Sequence, residues 1–399
     1  MADDLAAGVL VVGAGAAGSA CAEALREGGY DGSILVAGRD VDPPYERPHA
    51  SKGYLRGALG REETWLRPMR WWEERGVDLR VRTSVMKLDP AARTAKLSSG
   101  GEVRWEHAVL ATGANVRRLR VDGGGLDGIH YLRALGNADA IRGDAGEAER
   151  VVVVGGSYIA CEVAATLTAL GRRVAMVAEE RLPMSRGFGD TAGEWVLGVL
   201  RDHGVEWHGG DPLARFTGSE RVAGVVTASG SELPADVVVM GTGVIPDVML
   251  ARSAGLELGE TGGVACSARL ETSAPGVWAA GDACEYESVV HGRRLRVEHW
   301  EVARSQGAAV ARGILGDEHP YDEIPYFWSD LADWCTLEYV GPAPAWDRET
   351  VRGSLSDGSF TIFYESGGHV AAALTVGRGE DLDEARRLIA DGGAPPGTG

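Results

Sequence analysis

The sequence predicts an α/β protein with two Rossmann-like, three-layer nucleotide-binding domains and a C-terminal α+β domain. An apolar strand near the N-terminus leads into a glycine-rich turn and a helix (residues 9–26), and the same succession returns at residues 151–170. From about residue 324 the pattern changes to alternating strands and one last helix (382–389). A duplicated architecture is a stronger signal than either glycine motif alone.

The composition is that of an ordinary folded protein, with 44% hydrophobic and 25% charged residues among 399. The net charge of −18 argues against nucleic-acid binding, because neutralising phosphates requires a basic surface. No apolar stretch approaches the length of a membrane span, and the acidic start leads into a first strand and does not look like a signal peptide. We therefore expect a cytoplasmic protein with no membrane partner, either a monomer or a homodimer.

The five cysteines are dispersed and form no Cys-x-x-Cys motif. This usage is typical of buried thiols in a reducing compartment, and it predicts neither a disulfide framework nor a metal site. The redox pair that a disulfide reductase requires is also missing.

The first unit opens with a β-α-β succession that ends near Asp40. Its predicted elements are strand 9–12, helix 16–27, and strands 33–37, 77–81, 94–97, 103–105 and 108–110. The last of these strands leads into Ala111-Thr112-Gly113.

The second unit repeats this plan and closes on Gly241-Thr242-Gly243. Its predicted strands are 151–154, 173–178, 222–228 and 236–240. After Ile245-Pro246 the chain returns to the first unit, with strand 277–280, Gly281-Asp282 and a helix over 302–313.

The first glycine-rich turn has the spacing of a dinucleotide site. Gly13 permits the tight turn, Gly15 lets the backbone approach a pyrophosphate, and Gly18 allows close packing of helix and strand. The helix N-terminus adds amide donors and the positive end of a dipole. Asp40, at the end of the second strand, is placed to bind ribose hydroxyls, and Asp282 is placed to accept hydrogen bonds from a ribityl chain.

The second turn departs from this spacing. Gly155 is present, but Ser157 and Ala160 occupy the next two glycine positions, so a duplicated fold with weakened nucleotide binding stays open as an alternative. Glu179 is the predicted ribose acid. With Glu180 beside it, NADH is favoured over NADPH, because a 2′-phosphate next to two carboxylates is unfavourable. The predicted nicotinamide-nucleotide contacts are Gly155, Gly156, Ser157, Tyr158, Ile159, Glu162, Glu179, Gly241, Thr242 and Gly243.

Four segments carry a more specific resemblance. They are Pro44-Tyr45-Glu46-Arg47-Pro48-His49-Ala50-Ser51-Lys52, Gly281-Asp282, Glu298-His299-Trp300 and Pro325-Tyr326-Phe327-Trp328-Ser329-Asp330. With them the chain resembles the FAD-dependent ferredoxin reductases that feed bacterial oxygenases, which are related to the apoptosis-inducing-factor group. The resemblance implies a glutathione-reductase-like fold. It departs at His49-Ala50, where the family has Pro-Leu.

The resemblance also implies the roles of several residues. Arg47 would contact the FAD pyrophosphate, and Lys52, paired with Glu162, would stabilise charge that arrives at the flavin with hydride. Trp300 and Trp328 would pack beside the flavin or the nicotinamide, with a core role as the alternative. The full predicted flavin set is Gly13, Gly15, Ala16, Ala17, Gly18, Asp40, Arg47, Lys52, Val85, Ala111, Thr112, Gly113, Gly281, Asp282, Glu298, His299, Trp300 and Trp328.

These assignments predict an FAD-binding domain at 1–117 and 247–322, an NAD(P)H-binding domain at 118–246 and a C-terminal domain at 323–399. The favoured function is electron transfer from NADH through FAD to a two-iron ferredoxin, with Arg293-Arg294-Leu295-Arg296 as a possible basic docking patch. Two alternatives remain. One is a redox-responsive interaction protein of the apoptosis-inducing-factor type, and the other is a direct NADH oxidase or quinone reductase.

Overall fold

The computed structural model describes residues 5–395, which divide into two compact units. Unit 1 contains residues 5–47, 62–115 and 245–325, and unit 2 contains residues 48–61, 116–244 and 326–395. Residues 48–61 thus pack with unit 2, although they lie within the predicted 1–117 segment. Within residues 5–395, no helix has both the length and the apolar character needed to cross a bilayer.

The elements of the first part of the chain are β1 (Leu5–Val12), α1 (Ala16–Glu27), β2 (Ile34–Ala37), α2 (Met69–Glu74), β3 (Val77–Arg80), β4 (Val85–Asp89), β5 (Thr94–Leu97), β6 (Glu102–Leu110) and β7 (Ala114–Val116). The middle part holds β8 (Ile129–Tyr131), α3 (Leu135–Glu147), β9 (Arg150–Val154), α4 (Tyr158–Ala169), β10 (Arg173–Ala178), α5 (Ser185–Asp202), β11 (Glu206–Gly209), β12 (Leu213–Gly218), β13 (Val222–Thr227), β14 (Glu232–Pro234), β15 (Val237–Met240) and β16 (Val244–Pro246).

The return to unit 1 contains α6 (Met249–Ser253), β17 (Val264–Cys266), β18 (Val277–Ala279), β19 (Cys284–Ser288), β20 (Arg293–Leu295) and α7 (Trp300–Ile314). The C-terminal part contains β21 (Tyr326–Leu331), β22 (Cys335–Val340), β23 (Arg348–Ser354), β24 (Ser359–Ser366), β25 (His369–Val376) and α8 (Asp381–Asp391).

Unit 1 is built on a sheet of order β3-β2-β1-β6-β5-β4, with β18 paired to β6. Strands β3, β2, β1, β6 and β18 run parallel to one another. Strands β5 and β4 extend the sheet with antiparallel pairings. Val9, Leu10 and Val11 of β1 are completely buried, as expected for a parallel strand covered on both faces. The two predicted strands 103–105 and 108–110 are one strand, β6: its first half alternates in burial beside β5, and its second half is buried beside β18.

Unit 2 contains a parallel sheet of order β11-β10-β9-β15-β8 and an antiparallel sheet of order β12-β13-β14. The C-terminal region adds a five-stranded antiparallel sheet, β21-β22-β25-β24-β23, with α8 packed on β25. The predicted fold class is confirmed. The positions of the domain boundaries stay a prediction.

Candidate functional site

The first glycine-rich turn requires glycine at two positions because backbone lies against it. Gly13 has a φ of +111°, and a Cβ placed on it would lie 2.1 Å from the carbonyl oxygen of Ala111. A Cβ on Gly18 would lie 1.9 Å from the carbonyl oxygen of Gly13. These two glycines therefore serve the packing of β1, α1 and the end of β6.

Gly15 is different, because no protein atom lies within 4 Å of the position that its Cβ would take. Its φ of −79° is accessible to any residue, so the fold itself does not demand glycine there. The space lies at the N-terminus of α1, whose first residues are Ala16 and Ala17. Amide donors and a positive dipole end in front of open space suit a pyrophosphate, so this turn fits the phosphates of FAD.

The predicted ribose and pyrophosphate side chains of unit 1 lie together. Tyr45 donates a hydrogen bond from its hydroxyl to Asp40 over 3.2 Å, and Arg47 lies 3.6 Å from the same carboxylate. The Arg47 guanidinium also lies 4.9 Å from the centre of the Tyr45 ring. Asp40 and Arg47 are thus neighbours, as a shared role at one ligand requires.

The end of β6 is tied to the returning chain. The Thr112 hydroxyl donates to the carbonyl of Asp247 over 2.7 Å, and the Asp247 amide donates to the carbonyl of Gly113 over 2.8 Å. Arg39, one residue before the predicted ribose acid, forms an ion pair of 2.8 Å with the Asp247 side chain. These bonds fix residues 111–113, which follow the closing strand of unit 1.

Asp282 follows β18 at a tight crossing of helices. Gly281 has a φ of +77°, and its amide donates to the side chain of Gln306 over 2.8 Å. A Cβ on Gly307 of α7 would lie 2.1 Å from the carbonyl oxygen of Ala17 of α1, so the two helices approach closely here. This packing sets Asp282 at the carboxyl end of a parallel strand, where ligands of open α/β sheets bind.

The Glu298-His299-Trp300 segment leads into α7. Arg296 forms an ion pair with Glu298 and donates to the carbonyl of Asp282 over 3.2 Å. Burial lowers the pKa of His299 to about 4, against the opposing effect of the Asp282 charge, so this imidazole is neutral at physiological pH. Trp300 and Val85 are both half-buried and pack against the core of unit 1. For Trp300 this contact agrees with the core alternative.

Lys52 lies in a cluster of charges within unit 2. Its Nζ is 3.2 Å from Oε1 of Glu162 and 3.3 Å from Oδ2 of Asp330. It also lies 5.3 Å from the centre of the Trp328 ring, within the range of a cation–π contact. The structure therefore brings together Lys52, Glu162 and Trp328, three residues that are far apart in sequence.

Hydroxyl groups complete this cluster. Ser51 donates to Oε2 of Glu162 over 2.6 Å, and Ser329 donates to Oε1 over 2.7 Å. The Thr166 hydroxyl donates to the carbonyl of Ser51 over 2.8 Å, which ties the lysine-bearing segment to α4. Glu162 is only 5% exposed, so these bonds supply the polar partners that a buried carboxylate needs.

Sequence reasoning does not assign Ser51, Thr166, Ser329 or Asp330 to this site. Ser51 and Ser329 directly neighbour the assigned Lys52 and Trp328, and Asp330 lies two residues after Trp328, so their place in these two segments was the available signal. Thr166 lies one helical turn after Glu162 on α4, so helical spacing places it on the same face.

In the second glycine-rich turn, alanine replaces the third glycine at position 160, and a glycine at position 241 faces it. A Cβ on Gly155, whose φ is +120°, would lie 2.2 Å from the carbonyl oxygen of Gly241, which repeats the geometry of Gly13. A Cβ on Gly241 would lie 2.7 Å from the Cβ of Ala160. Unit 1 has glycine in the helix (Gly18) and alanine just after the strand (Ala111), and unit 2 has the reverse. Each pair thus contains one methyl group, carried by Ala111 in unit 1 and by Ala160 in unit 2. The alanine at position 160 is therefore matched by the glycine at position 241.

We expect Gly241→Ala to lower the free energy of unfolding by about 1–3 kcal/mol, because its methyl would overlap that of Ala160. Adding Ala160→Gly recreates the arrangement of unit 1 and should recover part of the loss, limited by the cost of about 1 kcal/mol for glycine inside a helix. Urea denaturation of both variants and of Ala160→Gly alone gives the coupling. Additive effects would contradict the compensation.

Ser157 also fits the turn without strain. Its φ of −85° is ordinary, and its hydroxyl donates to the carbonyl of Gly241 over 3.3 Å. The next two side chains have different surroundings. The centre of the Tyr158 ring lies 4.5 Å from that of Phe327, whereas Ile159 is 39% exposed. The hydroxyl of Thr242 donates to the Arg117 carbonyl over 2.8 Å, and the Gly243 carbonyl accepts from the Arg117 amide over 2.9 Å.

The structure places Glu180, and not Glu179, beside the second turn. The Glu179 side chain is 73% exposed and pairs with Arg186 at 3.0 Å. The Glu180 side chain is 17% exposed and pairs with the same arginine at 2.8 Å. A Cβ on Gly156 would lie 3.3 Å from Oε2 of Glu180. The acid that the geometry favours for a ribose is therefore one residue later than the sequence predicts.

All five cysteines are free, and four of them are buried. Cys161 lies next to Glu162 in sequence, but burial raises the pKa of its thiol, and the charges of Glu162 and Glu180 raise it further. A thiol held in its protonated form is a poor nucleophile, so Cys161 is not a candidate nucleophile.

Two family descriptions match the chain: pyridine nucleotide-disulphide oxidoreductase over residues 7–307, and reductase C-terminal over residues 326–398. The chain belongs to the pyridine nucleotide-disulphide oxidoreductase family. It is 34% identical over 394 residues to the anthranilate 1,2-dioxygenase system ferredoxin–NAD(+) reductase component of Burkholderia cepacia. The match covers 97% of this chain and 95% of the Burkholderia protein. The predicted family is confirmed.

Two solved structures are similar to this chain over almost its whole length. The ferredoxin reductase for the CYP199A2 system from Rhodopseudomonas palustris gives a TM-score of 0.93 at 33% identity, covering 97% of this chain and 95% of that one. A covalent putidaredoxin reductase–putidaredoxin complex gives a TM-score of 0.91 at 32% identity, covering 98% and 94%. The family makes this chain an FAD-dependent oxidoreductase that uses a pyridine nucleotide.

Proposed function

We propose that this chain takes hydride from NADH and passes single electrons to a two-iron ferredoxin in the cytoplasm, as the reductase component of an oxygenase system. The observations that carry the proposal are the cluster of Lys52, Glu162 and Asp330 in unit 2 and, in unit 1, a glycine-rich turn whose open space fits a pyrophosphate. The 34% identity to a ferredoxin–NAD(+) reductase component over almost the whole chain supports the same acceptor.

FAD, when bound, accepts the two electrons of a hydride together and releases them one at a time. The chain holds it with the Gly13–Gly18 turn at the pyrophosphate, Asp40 at the ribose, Arg47 at the phosphates and Asp282 at the ribityl chain. These assignments are supported by the open space at Gly15, by the contact of Arg47 with Asp40, and by the place of Asp282 at a strand end.

Lys52 supplies a fixed positive charge where negative charge develops. Its ammonium group is held by two carboxylates, and Ser51 and Ser329 hold Glu162 in turn, so little rearrangement is needed during the reaction. Such a preorganised charge lowers the barrier more than a mobile surface lysine would.

NADH is the preferred donor in this proposal because Glu180 lies beside the second turn. Its carboxylate suits a ribose diol and disfavours a 2′-phosphate. Glu180→Ala should raise the NADPH-to-NADH ratio of kcat/KM about 10-fold, which corresponds to about 1.4 kcal/mol. Glu179→Ala is the matched control and should change the ratio much less, since its carboxylate is exposed. Equal changes in both variants would contradict the assignment to Glu180.

The basic docking patch predicted at residues 293–296 finds little support in the structure. Arg294 pairs with Glu287 at 2.8 Å and donates to the carbonyls of Cys266 and Glu285, and Arg296 pairs with Glu298. Arg294 and Arg296 are therefore engaged within unit 1, and we assign no ferredoxin surface to residues 293–296.

The test is reduction of cytochrome c by NADH with and without a two-iron ferredoxin. We expect the ferredoxin to accelerate it strongly. No acceleration with any such ferredoxin, together with rapid NADH oxidation in air or with a quinone, would indicate the direct oxidase or quinone reductase. A slow reduction followed by a long-lived charge-transfer band would indicate a redox-responsive protein of the apoptosis-inducing-factor type.

A further inference from the structure

Arg296 joins three separate segments of unit 1. It lies directly after β20, and only 15% of its side chain is exposed. Its guanidinium donates to the carbonyl of Asp282 and to the hydroxyl of Thr261, each over 3.2 Å, and forms an ion pair with Glu298. These partners lie in the turn after β18, in the loop before β17 and just before α7. Neither Arg296 nor Thr261 belongs to the predicted cofactor contacts.

The loop before β17 leaves room for the stem of this arginine. A Cβ on Gly263 would lie 2.8 Å from Cδ of Arg296 and 3.1 Å from the carbonyl oxygen of Ala283. The φ of Gly263 is not positive, so the position requires glycine for space and not for backbone conformation. The loop is thus shaped to admit the Arg296 side chain.

A buried carboxylate fixes Thr261 in turn. The amide of Thr261 donates to Oε2 of Glu285 over 3.0 Å, and its hydroxyl donates to the same oxygen. The hydroxyl oxygen is thereby directed as an acceptor towards Nε of Arg296. Glu285 is completely buried and also accepts from the Gly263 amide over 3.2 Å. This chain of hydrogen bonds holds the guanidinium in one direction, in which it reaches the Asp282 carbonyl.

The turn that carries Asp282 is held on both sides. The Gly281 amide donates to the side chain of Gln306 over 2.8 Å, and Arg296 holds the carbonyl of the next residue, Asp282. Gly281 has a φ of +77°, and a glycine restricts its own backbone little. The bonds around this turn therefore determine where the Asp282 carboxylate points, and a shift of a fraction of an ångström is enough to weaken a ligand contact.

We propose that Arg296 is a positioning residue for the flavin: it fixes the backbone of Asp282 so that the Asp282 carboxylate meets the ribityl chain of FAD. The inference rests on the proposed function, which assigns Asp282 to that chain. Arg296 needs no contact with the cofactor in this role.

Arg294 provides a matched control two residues earlier. It donates to the carbonyls of Cys266 and Glu285 over 3.1 and 3.2 Å, and to the carboxylate of Glu287 over 2.8 Å. Arg294 therefore also binds three acceptors in unit 1, but these three partners lie outside the predicted flavin contacts. Its loss should affect the stability of unit 1 without moving Asp282.

The test titrates the apoprotein with FAD and with ADP, which contains the adenosine and the phosphates but no ribityl chain. We expect Arg296→Gln to raise the Kd for FAD about 10-fold, which corresponds to about 1.4 kcal/mol, and to leave the Kd for ADP unchanged. Arg294→Gln should leave both Kd values unchanged. Arg296→Lys is a milder variant, which takes the place of Arg296→Gln if that protein does not fold. It should also weaken FAD binding, because an ammonium group cannot span the three acceptors.

Asp282→Ala shows whether Arg296 acts through Asp282. If it does, adding Arg296→Gln to Asp282→Ala should raise the Kd for FAD little further. Additive effects, an equal loss of ADP affinity, or an equal loss of FAD affinity in Arg294→Gln would overturn the role of Arg296. An Arg296→Gln protein that binds FAD like the unsubstituted chain would also overturn it and leave the proposed function standing. An unsubstituted apoprotein that takes up no FAD would instead overturn the proposed function.

Discussion

Lys52→Met is expected to lower the free energy of unfolding of unit 2 by about 3 kcal/mol and to slow flavin reduction by NADH about 100-fold. The stability loss follows from the burial of Glu162, which would keep its two serine donors but lose the ammonium 3.2 Å away. Removing one partner of a buried ion pair costs more than removing both, because the remaining charge is left desolvated. The slower reduction follows from the role that we propose for Lys52, whose fixed positive charge would be lost.

The double variant Lys52→Met/Glu162→Gln separates these two effects. A neutral glutamine can accept from Ser329 through its oxygen and donate through its amide nitrogen to the hydroxyl oxygen of Ser51, which still donates to the Pro48 carbonyl, so most of the stability should return while flavin reduction stays slow. Urea denaturation of the apoprotein and stopped-flow flavin reduction provide the two readouts. A double variant as unstable as Lys52→Met, or a single variant that reduces the flavin at full speed, would contradict this account of the cluster.

The strands that the sequence predicts most accurately are those with continuous apolar runs or clear alternation. Arg173–Ala178 and His369–Val376 agree with the prediction at both ends, and Val151–Val154 differs by one residue from the observed Arg150–Val154. Burial on both faces leaves little choice of residue in a central parallel strand, so the pattern survives in the sequence.

Two helices of unit 2 give no such signal. The prediction contains no helix at residues 135–147, where three glycines lower the helix propensity and only Leu135, Ala138, Ile141 and Ala145 are buried. It also contains none at residues 185–202, where Gly189 takes a φ of +77° and interrupts the helix. Both helices exist because of the sheet they cover, which local sequence does not report.

For the Lys52 cluster, the sequence indicates which residues to consider better than it indicates how the fold brings them together. Lys52 and Glu162 follow from motif resemblance, but the membership of residues 48–61 in unit 2 depends on tertiary contacts such as the hydrogen bond of 2.7 Å from Tyr54 to Asp139. The choice between Glu179 and Glu180 depends on how the chain turns after β10 ends at Ala178. One residue of register there decides which carboxylate lies beside Gly156.

The first glycine-rich turn supports a second strong prediction, because two of its glycines serve different purposes. Gly18→Ala would place a methyl carbon 1.9 Å from the carbonyl oxygen of Gly13, and this backbone atom, unlike the end of a side chain, has little room to move. We expect a loss of several kcal/mol in the stability of unit 1 and a protein that is purified without FAD. Gly15→Ala meets no protein atom within 4 Å, so its apoprotein should melt at the unsubstituted temperature.

Gly15→Ala should nevertheless raise the Kd for FAD at least 100-fold, because its methyl would enter the space that the pyrophosphate needs. Quenching of flavin fluorescence on titration of the apoprotein measures this Kd, and differential scanning fluorimetry of the same sample measures the melting temperature. A Gly15→Ala protein that binds FAD like the unsubstituted chain would show that no ligand group occupies that space. A loss of FAD affinity without a loss of apoprotein stability can come only from the ligand side of the turn, since the fold itself makes no contact there.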